Sequence, residues 1–211
     1  MEALVLPVII GLGITSILLI TSIDWRFRLG LLAVQYLGAF LIITLSWPIS
    51  MAVSKLIAGW MAAAVLGMAL LGSLGESLRP IKSRPQQPIQ NWPFRTVQIR
   101  PSSIFYFFAA VLVGGFTISI SATVKSWLPL LSEINILAGL LLIGMGVLQL
   151  GLRVDTLSAI LGLLTVLTGF EIIYSGLERS TLVAGLLATI TLGLALVGAY
   201  LLLSPQIEEE K

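Results

Sequence analysis

Cysteine and histidine are both absent from the 211 residues of this chain. Haem iron, iron–sulfur clusters and structural zinc are bound mainly by these two side chains, so the sequence offers no usual site for them. A Cys/His or Ser/His/Asp nucleophilic site is excluded for the same reason. We therefore predict no catalytic residue, no metal and no cofactor, and we expect any redox or hydrolytic chemistry to belong to another chain.

Charged residues are also scarce. They make up 10% of the chain, whereas 57% of the residues are hydrophobic and the mean hydropathy is +1.05. A water-soluble domain is far less apolar. The composition predicts an all-α, polytopic integral membrane protein whose surroundings are the lipid bilayer, with no nucleic-acid partner.

Seven apolar runs are long enough to span a bilayer, for which about 20 residues are needed. They are Ala3 to Ile23, Leu29 to Leu45, Trp47 to Gly75, Ile104 to Val124, Ile134 to Leu152, Thr156 to Leu177 and Ser180 to Leu203. The second and third are separated by Ser46-Trp47-Pro48, where we place Ser46 as the N-cap and begin the third helix beside Pro48. No basic segment precedes the first run, so we expect a retained helix rather than a cleaved signal peptide.

The spans divide the chain into a three-helix part (1–75), a polar connector (76–103) and a four-helix part with a short acidic tail (104–211). The connector contains five prolines and five basic residues, which predicts an extended segment rather than a helix. Two interpretations remain open for it. The connector either lies on anionic lipid headgroups or binds a partner, such as a cytoplasmic subunit.

The distribution of Lys and Arg predicts that the N-terminus is outside and the C-terminus inside. With this orientation nine basic residues lie on the cytoplasmic side: Arg26, Arg28, Arg79, Lys82, Arg84, Arg95, Arg100, Arg153 and Lys211. The outer side keeps Lys125 and Arg179. Trp25, Trp47 and Trp127 fall at span ends, where tryptophan favours the membrane–water interface.

Glu171 lies inside the otherwise uncharged run from Thr156 to Leu177. A carboxylate at membrane depth costs at least ~2.5 kcal/mol to insert, so such a residue indicates a functional site with a partner. At about 100° per residue, Glu171 shares its helix face with three polar residues. These are Thr168, Tyr174 and Ser175.

The opposite face of the same helix carries small residues at seven-residue spacing, and the third span carries another small stripe at four-residue spacing. Small residues let membrane helices approach closely, so we expect both stripes to pack against protein. The stripes are Gly162, Gly169 and Gly176, and Gly59, Ala63 and Gly67.

Lys55 extends the second stripe by one more four-residue step. Helix rise places Lys55 about 10 Å and Glu171 about 9 Å below the same outer surface. We hypothesise that the two charges pair, directly or through water. The alternatives are that Lys55 extends to the outer headgroups and that Glu171 makes a purely structural hydrogen bond to a neighbouring helix.

Several short stretches resemble the hydrogenase-4 component E family of small membrane subunits in group 4 hydrogenases and formate hydrogenlyases. The last three helices of that family look like the K subunit of respiratory complex I. The stretches are Arg26-Phe27-Arg28-Leu29, Ala33-Val34-Gln35-Tyr36-Leu37, Val53-Ser54-Lys55-Leu56-Ile57 and Gly169-Phe170-Glu171-Ile172-Ile173.

The resemblance implies that Gln35, Lys55 and Glu171 match polar positions within the family's helices, and that Glu171 matches the carboxylate of a proton-pathway helix. The last span departs from the family, because it has no second carboxylate. The polar residues in its interior are Thr189, Thr191 and Tyr200. Either Glu171 passes protons to a neighbouring subunit, or the chain has kept the scaffold and lost the relay.

Together these features predict a membrane subunit of a multi-subunit proton-translocating, hydrogenase-like or complex I-like assembly, located in the prokaryotic plasma membrane. Such a subunit would scaffold larger membrane subunits and contribute to a lateral proton path. Two other interpretations stay open. The chain is a stand-alone small transporter or channel, or it is a purely structural accessory protein.

Overall fold

The structure is a computed structural model that describes residues 2–22, 24–77 and 103–209. Over this part the chain is all-helical, without strands. The helices are α1 (Glu2–Thr21), α2 (Trp25–Ile43), α3 (Ile49–Ser77), α4 (Ser103–Trp127), α5 (Glu133–Leu152), α6 (Thr156–Leu177) and α7 (Thr181–Glu209). Six of them, α2 to α7, are long and apolar enough to cross a membrane, and α1 contains a shorter apolar helix, Val5–Thr21. The prediction of an all-helical, polytopic membrane protein is confirmed at this level.

Helices α3 and α4 reach into the segment that the sequence assigned to the connector, because α3 continues to Ser77 and α4 begins at Ser103. Residues 78–102, and with them the predicted extended connector, lie outside the described residues. The last two residues of the acidic tail, 210 and 211, lie outside them as well.

The turn between α2 and α3 lies where the sequence predicts it, but its contacts differ. Ser46 is not the N-cap of α3, since the helix begins at Ile49 and the Ala52 amide donates to the Pro48 carbonyl (3.1 Å). The Ser46 hydroxyl instead accepts a hydrogen bond from the Asn135 side chain (2.8 Å). Trp47 lies in this turn, at the span end that the sequence predicts. Its side chain is buried, and its indole N–H donates to the Glu178 carbonyl (2.8 Å), which fastens the turn to the end of α6.

Helices α5 and α6 form the closest helix pair, and glycine makes the approach possible. A Cβ on Gly169 would lie 2.6 Å from the Gly139 carbonyl oxygen, and a Cβ on Gly162 would lie 3.1 Å from the Gly146 carbonyl oxygen. A larger side chain would therefore force the two backbones apart. With this face of α6 against α5, other parts of the α6 surface pack against α2 and α7.

The N-terminal and C-terminal helices interleave. Helix α3 packs along α7, and α2 packs against α1, α3 and α6. Helices α2 and α6 begin at the same end of the bundle, where Arg28 contacts Asp155 and Ser158. This arrangement surrounds the middle of α6 with protein on several sides.

Candidate functional site

Lys55 on α3 and Glu171 on α6 form an ion pair between the Lys55 Nζ and the Glu171 Oε2. The exposed fractions of the two residues are 4% and 2%, so both charges are enclosed by protein. Because the ammonium is bound here, Lys55 does not extend to the headgroups as the alternative interpretation required. The two charges share one level of the bundle, as the helix-rise estimate indicated.

Thr191 on α7 completes the site. Its hydroxyl accepts a hydrogen bond from the Lys55 ammonium (2.7 Å), and its oxygen lies 3.4 Å from the Glu171 Oε1. The hydroxyl also lies 3.0 Å from the Leu187 carbonyl of its own helix. Three helices therefore contribute one polar side chain each to a single contact.

From the sequence, Thr191 was identified only as a polar residue of the last span, although a signal for its role was present. Thr191 stands four residues after Leu187 and four before Ala195, and all three are buried. This spacing marks the inner face of α7. A polar residue on an inner helix face is a candidate partner for a buried charge.

The aromatic ring of Tyr36 on α2 contacts the Lys55 ammonium. The Lys55 Nζ lies 5.4 Å from the centre of the Tyr36 ring, within the range of a cation–π contact. The ring can lie here because residue 59 is glycine, and a Cβ at that position would overlap the ring atoms. Gly59 thus acts as a positioning residue for the site. Gly67 of the same stripe lies against Leu29 of α2, and Ala63 packs against the apolar cluster that contains Leu29.

The other predicted polar residues of α6 differ in burial and in their contacts. Thr168 and Ser175 are buried, but their hydroxyls donate to carbonyls of their own helix, those of Leu164 and Ile172 (both 2.7 Å). Tyr174 is only half-buried and stacks on Phe170, with ring centres 5.9 Å apart. Tyr174 therefore does not join the hydrogen bonds of the ion pair.

Gln35 is buried, with 1% of its surface exposed, and neither its amide nitrogen nor its amide oxygen has a hydrogen-bond partner among the described residues.

The remaining residue of the α6 glycine stripe is Gly176, which lies against Leu131 and against Asn135 of α5.

A second polar cluster lies at the end of the bundle where α2 and α6 begin. The Arg28 guanidinium donates to the Asp155 carboxylate (3.2 Å) and to the Ser158 hydroxyl (2.5 Å). Asp155 is the N-cap of α6 and accepts from the Ser158 amide (3.0 Å). Its neighbour Arg153 donates to the Ile20 carbonyl (2.7 Å), which fastens the end of α1 to the same cluster.

Asp155 lies in the turn before α6, and the Asp155 side chain is 46% exposed. Its partial burial alone would raise the pKa of the carboxyl. Hydrogen bonds from Ser158 and Arg28 and the charge of Arg28 outweigh that effect, so the pKa of Asp155 is lowered from its ordinary value. The carboxylate is accordingly ionised at neutral pH and serves as a helix cap and clamp.

The Lys55–Glu171–Thr191 contact is capable of proton transfer. Moving one proton from the ammonium to the carboxylate would convert two opposite charges into two neutral groups without changing the net charge. A low-dielectric surrounding makes neutral and ion-paired forms closer in energy than they are in water. Within the described part of the chain, no group of three or more His, Cys, Asp or Glu residues is placed to hold a metal ion.

Comparison of the chain with protein-family models, with curated proteins and with solved structures finds no match.

Proposed function

We propose that this chain is an integral membrane subunit of a larger proton-translocating assembly, hydrogenase-like or complex I-like, without catalytic chemistry of its own. In this proposal the chain packs between larger membrane subunits, and Lys55, Glu171 and Thr191 form a polar link in a lateral proton path. The supporting observation is the fully enclosed ion pair between α3 and α6, joined to α7 by a hydroxyl.

An ion pair of this kind is a poor device for stability alone. Removing two charges from water costs several kcal/mol each, and well-packed apolar residues often serve as well or better. Titratable groups kept at membrane depth are therefore better explained by a role in moving charge. Helix α7 offers no carboxylate over residues 181–207, so the proposed path reaches α7 through the Thr191 hydroxyl and continues in a neighbouring subunit.

The proposal includes a seven-span topology, with α1 as a full crossing, the N-terminus outside and the C-terminus inside the prokaryotic plasma membrane. Segment 76–103 would then face the cytoplasm, where it would contact lipid headgroups or a cytoplasmic subunit. This orientation would put the Arg28–Asp155 cluster on the cytoplasmic side and the Trp47 turn on the outer side.

Membership in a large assembly is tested by extracting the chain from its own membrane with a mild detergent and separating the extract by native electrophoresis. We expect the chain to comigrate with several larger membrane proteins, which mass spectrometry would identify. Migration as a free monomer or homodimer would contradict the proposal and favour a stand-alone transporter.

The proton path is tested with Glu171→Gln in the assembled complex. We expect at least about a tenfold loss of proton uptake into inverted membrane vesicles, because the amide can neither take up nor release a proton at working pH. Glu133→Gln is the matched control, since Glu133 is an exposed carboxylate in the first turn of α5. Unchanged proton uptake in Glu171→Gln, with the complex intact, would leave the chain a scaffold.

A further inference from the structure

A second group of buried polar atoms lies where α6 packs against α2, between Glu171 and the Arg28 end of the bundle. Gln35 provides both atoms of its amide, and neither has a hydrogen-bond partner among the described residues. A buried primary amide can make up to four hydrogen bonds. Leaving all of them unmade is rare in proteins, where such groups are paired with protein or with internal water.

The register of α2 and α6 places Gln35 next to the polar face of α6. Both helices run in the same direction from the contact between Arg28 and Ser158. Gln35 follows Arg28 by seven residues and Thr165 follows Ser158 by seven, so both lie about 10 Å further along the bundle. Gln35 and Thr165 therefore share one level.

Thr165 lies at this level and Thr168 lies about one helical turn further toward Glu171, and both hydroxyls can accept further hydrogen bonds. Thr165 donates to the Leu161 carbonyl (2.8 Å) and Thr168 donates to the Leu164 carbonyl (2.7 Å), which leaves lone pairs on both oxygens. The Tyr36 hydroxyl lies near Thr168 and Glu171 without a hydrogen bond of standard geometry. All of these residues are buried.

We infer that Gln35, Tyr36, Thr165 and Thr168 hold one or more internal water molecules beside Glu171. Water satisfies the chemistry of this group, because it donates to the amide oxygen and the hydroxyl oxygens and accepts from the amide N–H and the Tyr36 O–H. A stable internal water needs two to four polar partners, and this group provides them. An ion is a weaker fit, since Lys55 already neutralises Glu171.

The water site gives Glu171 a hydrogen-bonded neighbour on the α2 side, opposite Lys55 and Thr191. It extends the polar group from Glu171 by about 9 Å toward the Arg28 end, counting from residue 171 to residue 165. Beyond Gln35 the apolar residues Leu32 and Leu161 separate it from Ser158. A role for this water in moving protons rests on the proposed function, whereas the hydration itself does not.

The absence of native cysteine allows a direct test, because a single introduced thiol provides the only S–H infrared band. Gln35→Cys and Thr168→Cys are prepared in the full-length chain in lipid nanodiscs and transferred into D₂O. Ile42→Cys and Ile172→Cys are the matched controls, since both isoleucines are equally buried but lie in an apolar cluster. Size-exclusion chromatography identifies any variant that fails to fold. One correctly folded site variant is enough for the exchange test.

We expect the S–H band of Gln35→Cys and Thr168→Cys to convert to S–D at least about tenfold faster than that of the controls, because a dry thiol exchanges only during local opening. Exchange as slow as that of Ile42→Cys at both site positions would overturn the inference. Fast exchange together with unchanged proton uptake in Glu171→Gln would uphold the water site and reject the proposed function. Loss of proton uptake in Glu171→Gln together with slow exchange at both site positions would uphold the proposed proton path and reject the water site.

Discussion

The two charged contacts of this bundle use the same chemistry in different surroundings. In the first, Lys55 and Glu171 are both enclosed, and their third partner is a hydroxyl on another helix. In the second, buried Arg28 meets an Asp155 carboxylate that is nearly half-exposed and is also bonded to a backbone amide. The contact at the bundle end is a helix cap reinforced by a cation, whereas no backbone N–H among the described residues donates to the carboxylate of the central contact.

This difference bears on what each contact can do. A carboxylate held by backbone and guanidinium donors is stabilised in its ionised form. A carboxylate that depends on one ammonium and one hydroxyl can exchange a proton with its partner at a lower cost. The comparison therefore indicates that the Arg28–Asp155 cluster fastens the helices, and it supports our proposal that the Lys55–Glu171 pair moves charge.

The largest effect is expected from removing one member of the central pair. Lys55→Met or Glu171→Leu should each lower the free energy of unfolding by about 3 kcal/mol, because a buried charge is left without its partner. The double variant should recover most of that loss, since no unpaired charge remains. Thermal or denaturant unfolding in a mild detergent measures all three.

A charge exchange separates pairing from packing. Lys55→Glu combined with Glu171→Lys should restore the assembly that either single change disrupts. If the double variants are as unstable as the sum of the single ones, the two residues are not energetically coupled.

The next largest effect is expected from a change that displaces the Tyr36 ring beside the central pair. Gly59→Ala should cost about 2 kcal/mol, because its new methyl group must displace the Tyr36 ring. Gly185→Ala is the control, since a Cβ on Gly185 meets nothing within 4 Å, and it should be neutral or stabilise α7 by up to about 1 kcal/mol. Equal stability of the two variants would show that the Tyr36 ring is not confined by Gly59.

The cluster at the bundle end should be less sensitive. Asp155→Ala removes the N-cap of α6 and should cost about 1–2 kcal/mol, whereas Asp155→Asn keeps a cap and should cost less. Asp24→Ala is the control, because Asp24 precedes α2 without making a side-chain cap hydrogen bond. A loss at Asp24 as large as that at Asp155 would show that the cap hydrogen bond contributes little.

Features that depend on hydropathy and helical spacing could be predicted well from the sequence. Most helix ends lie within about three residues of the predicted runs, and α6 matches its prediction at both ends, whereas α2 begins earlier, at Trp25, and α7 ends later, at Glu209. The level shared by Lys55 and Glu171 followed from helix rise, and the packing of Gly162 and Gly169 followed from their spacing. Each of these conclusions was reached by considering the residue pattern of one helix at a time.

Features that depend on how three or more helices meet were not predictable. Thr191 was seen as polar, but its contact with Lys55 depends on α7 packing along α3. Trp47 was placed at a span end, but its hydrogen bond to the Glu178 carbonyl depends on the α2–α3 turn folding onto the end of α6. Arg28 was counted as a loop charge, although its true partner, Asp155, lies 127 residues further along the chain.

The smallest expected effect is a pH dependence that separates the two contacts. The folded-state pKa of Asp155 is lowered relative to the unfolded chain, so its contribution to stability is fully present above the ordinary aspartate pKa of about 4 and is lost as the pH falls through the lower folded-state value. The native chain should therefore lose stability on acidification from about pH 5 downward, and Asp155→Asn should show a flatter profile over the same range. Unfolding midpoints measured at successive pH values in one detergent provide the comparison. Parallel profiles for the two proteins would show that the Arg28–Asp155 contact does not carry the acid sensitivity, and would remove the electrostatic distinction between the end of the bundle and its centre.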